Sequence, residues 1–170
     1  GGKAKAMIVT ASRLHAVRYR LTIDTYLAEI GSPFKALVAF TDTVKDPKDQ
    51  REYTEANMNG FPEAATADRF EEDDNRFLIV ASKFQTGFDQ PKLLAMYVDK
   101  KLSGVTCVQT LSRLNRTMQG KNETFVLDFE NDAEDIQEGF QPFYDRILLT
   151  EGSDPNALYD IATDLNNFRI

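Results

Sequence analysis

The chain has 170 residues, 42 % apolar, 28 % charged and 11 % aromatic, with a formal net charge of −7. These figures fit one soluble globular domain with a real core and exclude disordered, collagenous and disulfide-stapled classes. No apolar run approaches the ~20 residues of a membrane span, no signal peptide heads the sequence, and a lone Cys107 beside a lone His15 argues against a thiolate or imidazole metal site.

With no internal disulfide available, Cys107 suits a reducing, cytoplasmic setting. The opening Gly1-Gly2-Lys3 reads as the start of a piece cut from a longer polypeptide. Charge is divided unevenly along the chain. Residues 41–75 hold 4 Lys/Arg against 11 Asp/Glu, residues 128–170 hold 2 against 11, and the remainder holds 14 against 5. A basic body therefore carries two acidic appendages, and local potential governs polyanion binding more than total charge does. Nucleic acid stays open as a partner.

In chain order, Ala6–Thr10 (AMIVT) predicts the first strand and Ser12–Ile30 the first helix, with Leu14, Val17, Leu21 and Ala28 near one face and Gly31-Ser32-Pro33 as its stop. Ala36–Phe40 (ALVAF) is the second strand. Thr41–Gly60, polar and aperiodic, is expected to be a mobile surface loop. Pro62–Asn75 is a second helix with an acidic, frayed end, followed by strands at Phe77–Ala81 and Leu94–Val98. Gly104–Met118 is a third helix and Thr124–Phe129 a fifth strand. Ala133–Leu149 and Pro155–Asn167, the latter capped by Asp154, complete the set. Nearly continuous apolar strands alternating with helices mean a doubly wound parallel sheet, whose ligands bind at the carboxyl ends of the strands. The connection from Ala81 to Leu94 is too short for a crossover helix and is expected to be a structured loop.

The chain has neither a G-x-x-x-x-G-K-[ST] phosphate loop nor a G-x-G-x-x-G fingerprint. Either it is no nucleotide enzyme or it supplies half of a site. At ~100° per residue, Gln109, Arg113 and Arg116 fall within roughly 60° on one face of the 104–118 helix. Cys107, Val108, Leu111 and Leu114 take the opposite, packing face. Two guanidinium forks at i, i+3 suit a phosphate bridging two domains; an ordinary solvated Arg/Gln face is the alternative. In the loop Ser82–Pro91, Gln85 and Thr86 offer hydrogen bonds, Gly87 permits close approach, and Asp89 can hold a ribose hydroxyl or orient an arginine. Thr10, Ser12 and Arg13 set two hydroxyls and a cation at a helix N-terminus, a phosphate site or a simple N-cap. His15 reads as a surface residue and Cys107 as an inert small hydrophobe.

Taken in order, these segments resemble the second RecA-like motor domain of superfamily-two helicases and translocases. AMIVTASR (6–13) looks like motif IV, FQTGFDQP (84–91) like motif V, and QTLSRLNR (109–116) like motif VI. SRLHAVRY, RFLIVASKFQTGFDQPKLLAMYVDKKLSGV, VQTLSRLNRT and TFVLDF with AEDIQEGFQPFY are similar, more closely, to the R (HsdR) subunit of type I restriction enzymes. Ser112 and Asn115 stand where many relatives have Gly.

The resemblance implies a RecA-like, mostly parallel sheet flanked by helices over 1–130, with 131–170 a C-terminal helical extension packing on it or leading to the next domain. It further implies that Arg113 and Arg116 act as arginine fingers on ATP, with Gln109, Gly87 and Asp89 beside the nucleotide. Thr10, Ser12, Arg13, Gln85 and Thr86 would lie near the DNA backbone. ATP and Mg²⁺ would be bound mainly by a first RecA-like domain outside this sequence. The implied partners are double-stranded DNA, that first domain and the modification and specificity subunits, and the implied activity is ATP-driven DNA translocation before cleavage by a nuclease domain elsewhere. Alone, the segment is expected to hydrolyse neither ATP nor DNA. A motor half of another superfamily-two protein and a non-catalytic Rossmann-like interaction module are the alternatives.

Overall fold

The computed structural model describes residues 3–84, 88–116, 121 and 123–150, without side-chain placement for 143–150. Strand β1 (Lys5–Thr10) is buried at every position because it is the central strand of the sheet. Ser12 then caps α1 (Arg13–Glu29), its hydroxyl accepting from the His15 N–H at 3.2 Å. The helix ends at Gly31, whose φ of +62° is costly for other residues. β2 (Lys35–Ala39) forms one edge of the sheet.

Residues 41–60 correct the expectation of a mobile loop. They contain an antiparallel hairpin of β3 (Val44–Lys45) and β4 (Glu52–Tyr53), then α2 (Glu55–Asn59). A reciprocal Thr54/Asn57 capping box starts α2, and Gly60 at φ +79° ends it. The segment is held because Val44, Tyr53 and Met58 pack against the core beneath α1, and Arg18 grips the buried Asp46 carboxylate through two bonds of 3.1 and 3.0 Å.

The second predicted helix is also shorter than expected. After a 3₁₀ turn at Glu63–Ala65, α3 covers only Thr66–Glu71. Its final carbonyls are taken by tertiary donors: Asn75 Nδ2 bonds Arg69 O at 2.7 Å and Lys5 Nζ bonds Glu72 O at 2.8 Å. Asn75 therefore opens β5 (Asn75–Val80) instead of closing a helix. β6 (Leu93–Asp99), α4 (Gly104–Leu111), a 3₁₀ turn at Ser112–Asn115, β7 (Phe125–Asp128) and α5 (Ala133–Thr150) follow. The helix expected at Pro155–Asn167 lies outside the described residues.

The main sheet is parallel throughout, in the order β2-β5-β1-β6-β7. This is the expected α/β doubly wound, RecA-like architecture. Alternate β1 side chains feed two cores. Ile8, Val38 and Ile79 pack with Ala16 and Val17 of α1, while Met7, Val9, Leu78, Val80 and Met96 pack with Phe70, Phe88, Cys107 and Leu114 on the other face. Ile136 and Phe140 bring α5 onto this second face, where a Cβ at Gly139 would stand only 3.1 Å from Cys107 Cβ. Among the described residues, no helix is long and apolar enough to cross a membrane.

Candidate functional site

The β5–β6 connection crosses β1 with no helix among its described residues, and its own aromatic side chains cover the sheet. Phe88 is buried in the second core, with its ring centroid 4.8 Å from Phe84 and 6.1 Å from Phe70. The turn into the connection needs left-handed backbone at Ser82 (φ +58°) and Phe84 (φ +61°). Each costs an L-residue on the order of 1–2 kcal/mol, so contacts around the turn must hold it. Gln85, Thr86 and Gly87 lie outside the described residues.

Phe88 and Asp89 meet the predicted arginines. Arg113 Nη1 donates to Phe88 O at 2.6 Å, and Arg116 Nε lies 3.2 Å from Asp89 Oδ1. Arg113 is half-buried, and burial, then the neighbouring Arg116 charge, push its pKa down. The Arg116–Asp89 pair is open to water, with side chains 49 % and 65 % exposed. Gln109 is exposed on α4.

One geometric expectation is corrected here. Gln109, Arg113 and Arg116 do not form one α-helical ridge, because α4 stops at Leu111, a 3₁₀ turn carries Arg113, and Arg116 is extended at φ −72°, ψ 126°. Beyond the 3₁₀ turn, Lys121 Nζ bonds Leu114 O at 2.6 Å and Arg116 O at 2.9 Å, satisfying carbonyls that have no helical partner there. The packing face is as expected, with Cys107 and Leu114 buried and Val108 and Leu111 half-buried.

At the β1–α1 corner, Thr10 is buried, its hydroxyl 3.0 Å from Val80 O and 3.1 Å from Ser12 O. Ser12 is the exposed N-cap. Arg13 Nη1 reaches Thr41 O at 3.1 Å and Asp42 Oδ2 at 3.2 Å in a solvent-exposed pair. Asn131 ties the ends of β6 and β7 together, its Oδ1 accepting from Leu102 N at 2.7 Å and its Nδ2 donating to Lys100 O at 2.9 Å. Sequence reasoning passed over two charged residues of this region, Glu55 and Lys83, which join at 2.8 Å. Neither lies in a periodic pattern, and only the fold brings them together.

A family profile described as type I restriction enzyme subunit R domain 3 matches residues 52–131. The type I restriction enzyme MjaVIIP endonuclease subunit of Methanocaldococcus jannaschii is 32 % identical over 138 residues, covering 74 % of this chain. The MjaIXP endonuclease subunit of the same organism is 28 % identical over 139 residues, covering 82 % of this chain. The chain belongs to the R-subunit family of type I restriction enzymes. The aligned stretch spans 13 % of the length of each of these two relatives. Within this R-subunit segment, the matched residues take in Glu55, Lys83, Asp89, Arg113 and Arg116.

Proposed function

We propose that the chain is the second RecA-like motor domain of a type I restriction R subunit, one half of an ATP-dependent machine that moves double-stranded DNA. The observation that carries this reading is Arg116: an exposed guanidinium, directly after the 3₁₀ turn whose Leu114 is buried, and paired at the surface with Asp89. An exposed ion pair is worth ~0–1 kcal/mol, so its carboxylate is readily exchanged for another oxyanion. A guanidinium fork binds phosphate as well as carboxylate. The arginines thus fit the outer phosphate of a nucleotide, but the described residues offer no cradle for a whole triphosphate. They also contain no group of three or more His, Cys, Asp or Glu suited to a metal ion. ATP and Mg²⁺ are proposed to be held mainly by the first RecA-like domain.

When bound, ATP supplies a γ-phosphoryl group whose oxygens gain charge-neutralising partners during transfer. Arg116 leaves Asp89 to meet those oxygens across the interdomain cleft. Arg113, whose Nη1 is held on Phe88 O, is proposed as the second arginine finger on those oxygens, and Gln109 borders the same cleft. Asp89 receives Arg116 again when the cleft opens. At the β1–α1 corner, Arg13 exchanges Asp42 for a DNA phosphate and Ser12 lies beside it, while the buried Thr10 fixes the corner's shape. Gln85 and Thr86 are proposed as further backbone contacts and Gly87 as a nucleotide-side position. Contacts to phosphate carry no sequence information, as movement along arbitrary DNA requires. Residues 131–170 are proposed as the extension that begins on this domain, with recognition and cleavage assigned to other parts of the enzyme.

The test is displacement of a triplex-forming strand from duplex DNA by the assembled enzyme. Arg116→Ala is expected to abolish displacement while leaving DNA binding within about twofold. Arg13→Ala is expected to weaken DNA binding and reduce its salt dependence by about one phosphate contact. Full displacement activity in Arg116→Ala would overturn the reading.

A further inference from the structure

We infer that Glu55 and Lys83 are a positioning pair for the two arginines, acting through the β5–β6 connection; this rests on the motor reading above. Glu55 opens α2 and its side chain is fully buried. Burying a carboxylate is costly unless it is paired and hydrogen-bonded, and Glu55 has three donors from three separate segments. Its Oε2 accepts from Phe40 N at the end of β2 (2.8 Å) and from Lys83 Nζ (2.8 Å), and its Oε1 from the Thr66 hydroxyl at the head of α3 (2.5 Å). Lys83 also reaches Glu63 Oε2 at 3.1 Å. Burial works against the Lys83 charge, but the hydrogen bonds to Glu55 and Glu63 prevail and raise its pKa.

The placement of Lys83 gives the pair its reach. It sits between Ser82 and Phe84, the two left-handed non-glycine residues that turn the chain off β5. With its ammonium drawn into the Glu55 site, the backbone on either side is held in this costly shape. Phe84 then stacks on Phe88, whose carbonyl accepts from Arg113, and Asp89 meets Arg116. A continuous run of contacts therefore links a buried carboxylate on α2 to both guanidinium groups. Neither Glu55 nor Lys83 has to touch nucleotide for this role.

Positioning predicts a distinct kinetic signature. In the complete R-subunit polypeptide with duplex DNA, Lys83→Met is expected to lower kcat for ATP about 10- to 100-fold, since small misplacements of a transition-state group cost that much. KM for ATP should stay within about twofold. Hydrogen exchange at the Phe88, Asp89 and Leu114 amides should rise, with exchange in β1 unchanged. Lys83→Arg should recover most of kcat. If Lys83→Met does not fold, Glu55→Gln carries the same test, because its amide oxygen can still accept from Phe40 or Thr66 while the charge is gone. Unchanged kcat and unchanged exchange in either folded variant overturn the inference, as does a fall in unfolding midpoint with full kcat. Arg116→Ala separates the two readings. If it retains full activity the motor reading fails, whereas an inactive Arg116→Ala beside a fully active Lys83→Met removes only the positioning pair.

Discussion

Lys5 opens β1 and is 2 % exposed, the most deeply enclosed cation in the central strand. Its Nζ donates to Asn75 O at 2.6 Å and Glu72 O at 2.8 Å and lies 4.8 Å from the Phe70 ring centroid. Burial first, then repulsion from Lys92 and Arg76, brings its pKa from 10.5 down to about 8. Between these two values the unfolded chain binds a proton at Lys5 that the folded chain does not. Stability therefore rises with pH through this window. At about 1.4 kcal/mol per pKa unit, the full effect is about 3 kcal/mol, of which about 2–3 kcal/mol falls between pH 7 and 10. Lys5→Met removes the titration and takes the Lys5 donor from Asn75 O, while Glu72 O keeps the Asn75 N–H at 3.2 Å, a pH-independent cost of about 1–3 kcal/mol. The assay is urea unfolding of both forms at pH 7, 8, 9 and 10. The wild-type curve should gain on Lys5→Met by about 2–3 kcal/mol from the lowest pH to the highest. A constant difference across the series would refute the reasoning.

Phe70→Ala, which empties a fully buried site between Lys5 and Phe88, is expected to cost about 3–5 kcal/mol in urea unfolding. Gly139→Leu should lift α5 from α4, because even a Cβ there presses on Cys107; the readout is faster alkylation of that buried thiol by a maleimide, and unchanged protection would count against the packing described. Arg116→Ala should shift stability by less than about 1 kcal/mol, because the pair it breaks is solvent-exposed. A large stability loss in this variant would show the arginine to be a structural strut. Asp89→Asn should leave the fold equally intact while changing DNA-stimulated ATP hydrolysis, measured as phosphate release.

The sheet was legible because its inner strands are covered on both faces, and because the edge strand β7 is apolar at Phe125, Val126 and Leu127 although these stay exposed. Runs such as AMIVT and FLIVA need no partner to announce themselves, and all five predicted strands exist. The helices were less legible where tertiary donors decide their ends. Asn75 and Lys5 shorten α3, and Lys121 takes the carbonyls of Leu114 and Arg116 beyond α4, none of which periodicity can register. The hairpin and α2 were hidden for another reason: two-residue strands and a five-residue helix are too short to show a period. Ser12 proved to be the helix cap that spacing alone allowed, and Arg13 an exposed surface cation. Arg113 and Arg116 were found as residue types at a suggestive spacing, yet their contacts with Phe88 and Asp89 depend on the β5–β6 connection lying over the sheet. Glu55 looked like one acid among many in an acidic stretch, and its burial could be seen only in three dimensions.

The most direct test of the central claim is DNA-stimulated ATP hydrolysis by the complete R-subunit polypeptide, wild type beside Arg113→Ala and Arg116→Ala, with the 170-residue chain alone as the blank. The account predicts a silent chain, an active polypeptide, and arginine variants reduced by about 10³-fold or more, the range expected of arginines completing a phosphoryl-transfer site. Wild-type rates in both variants would contradict it and return these arginines to an ordinary solvated surface.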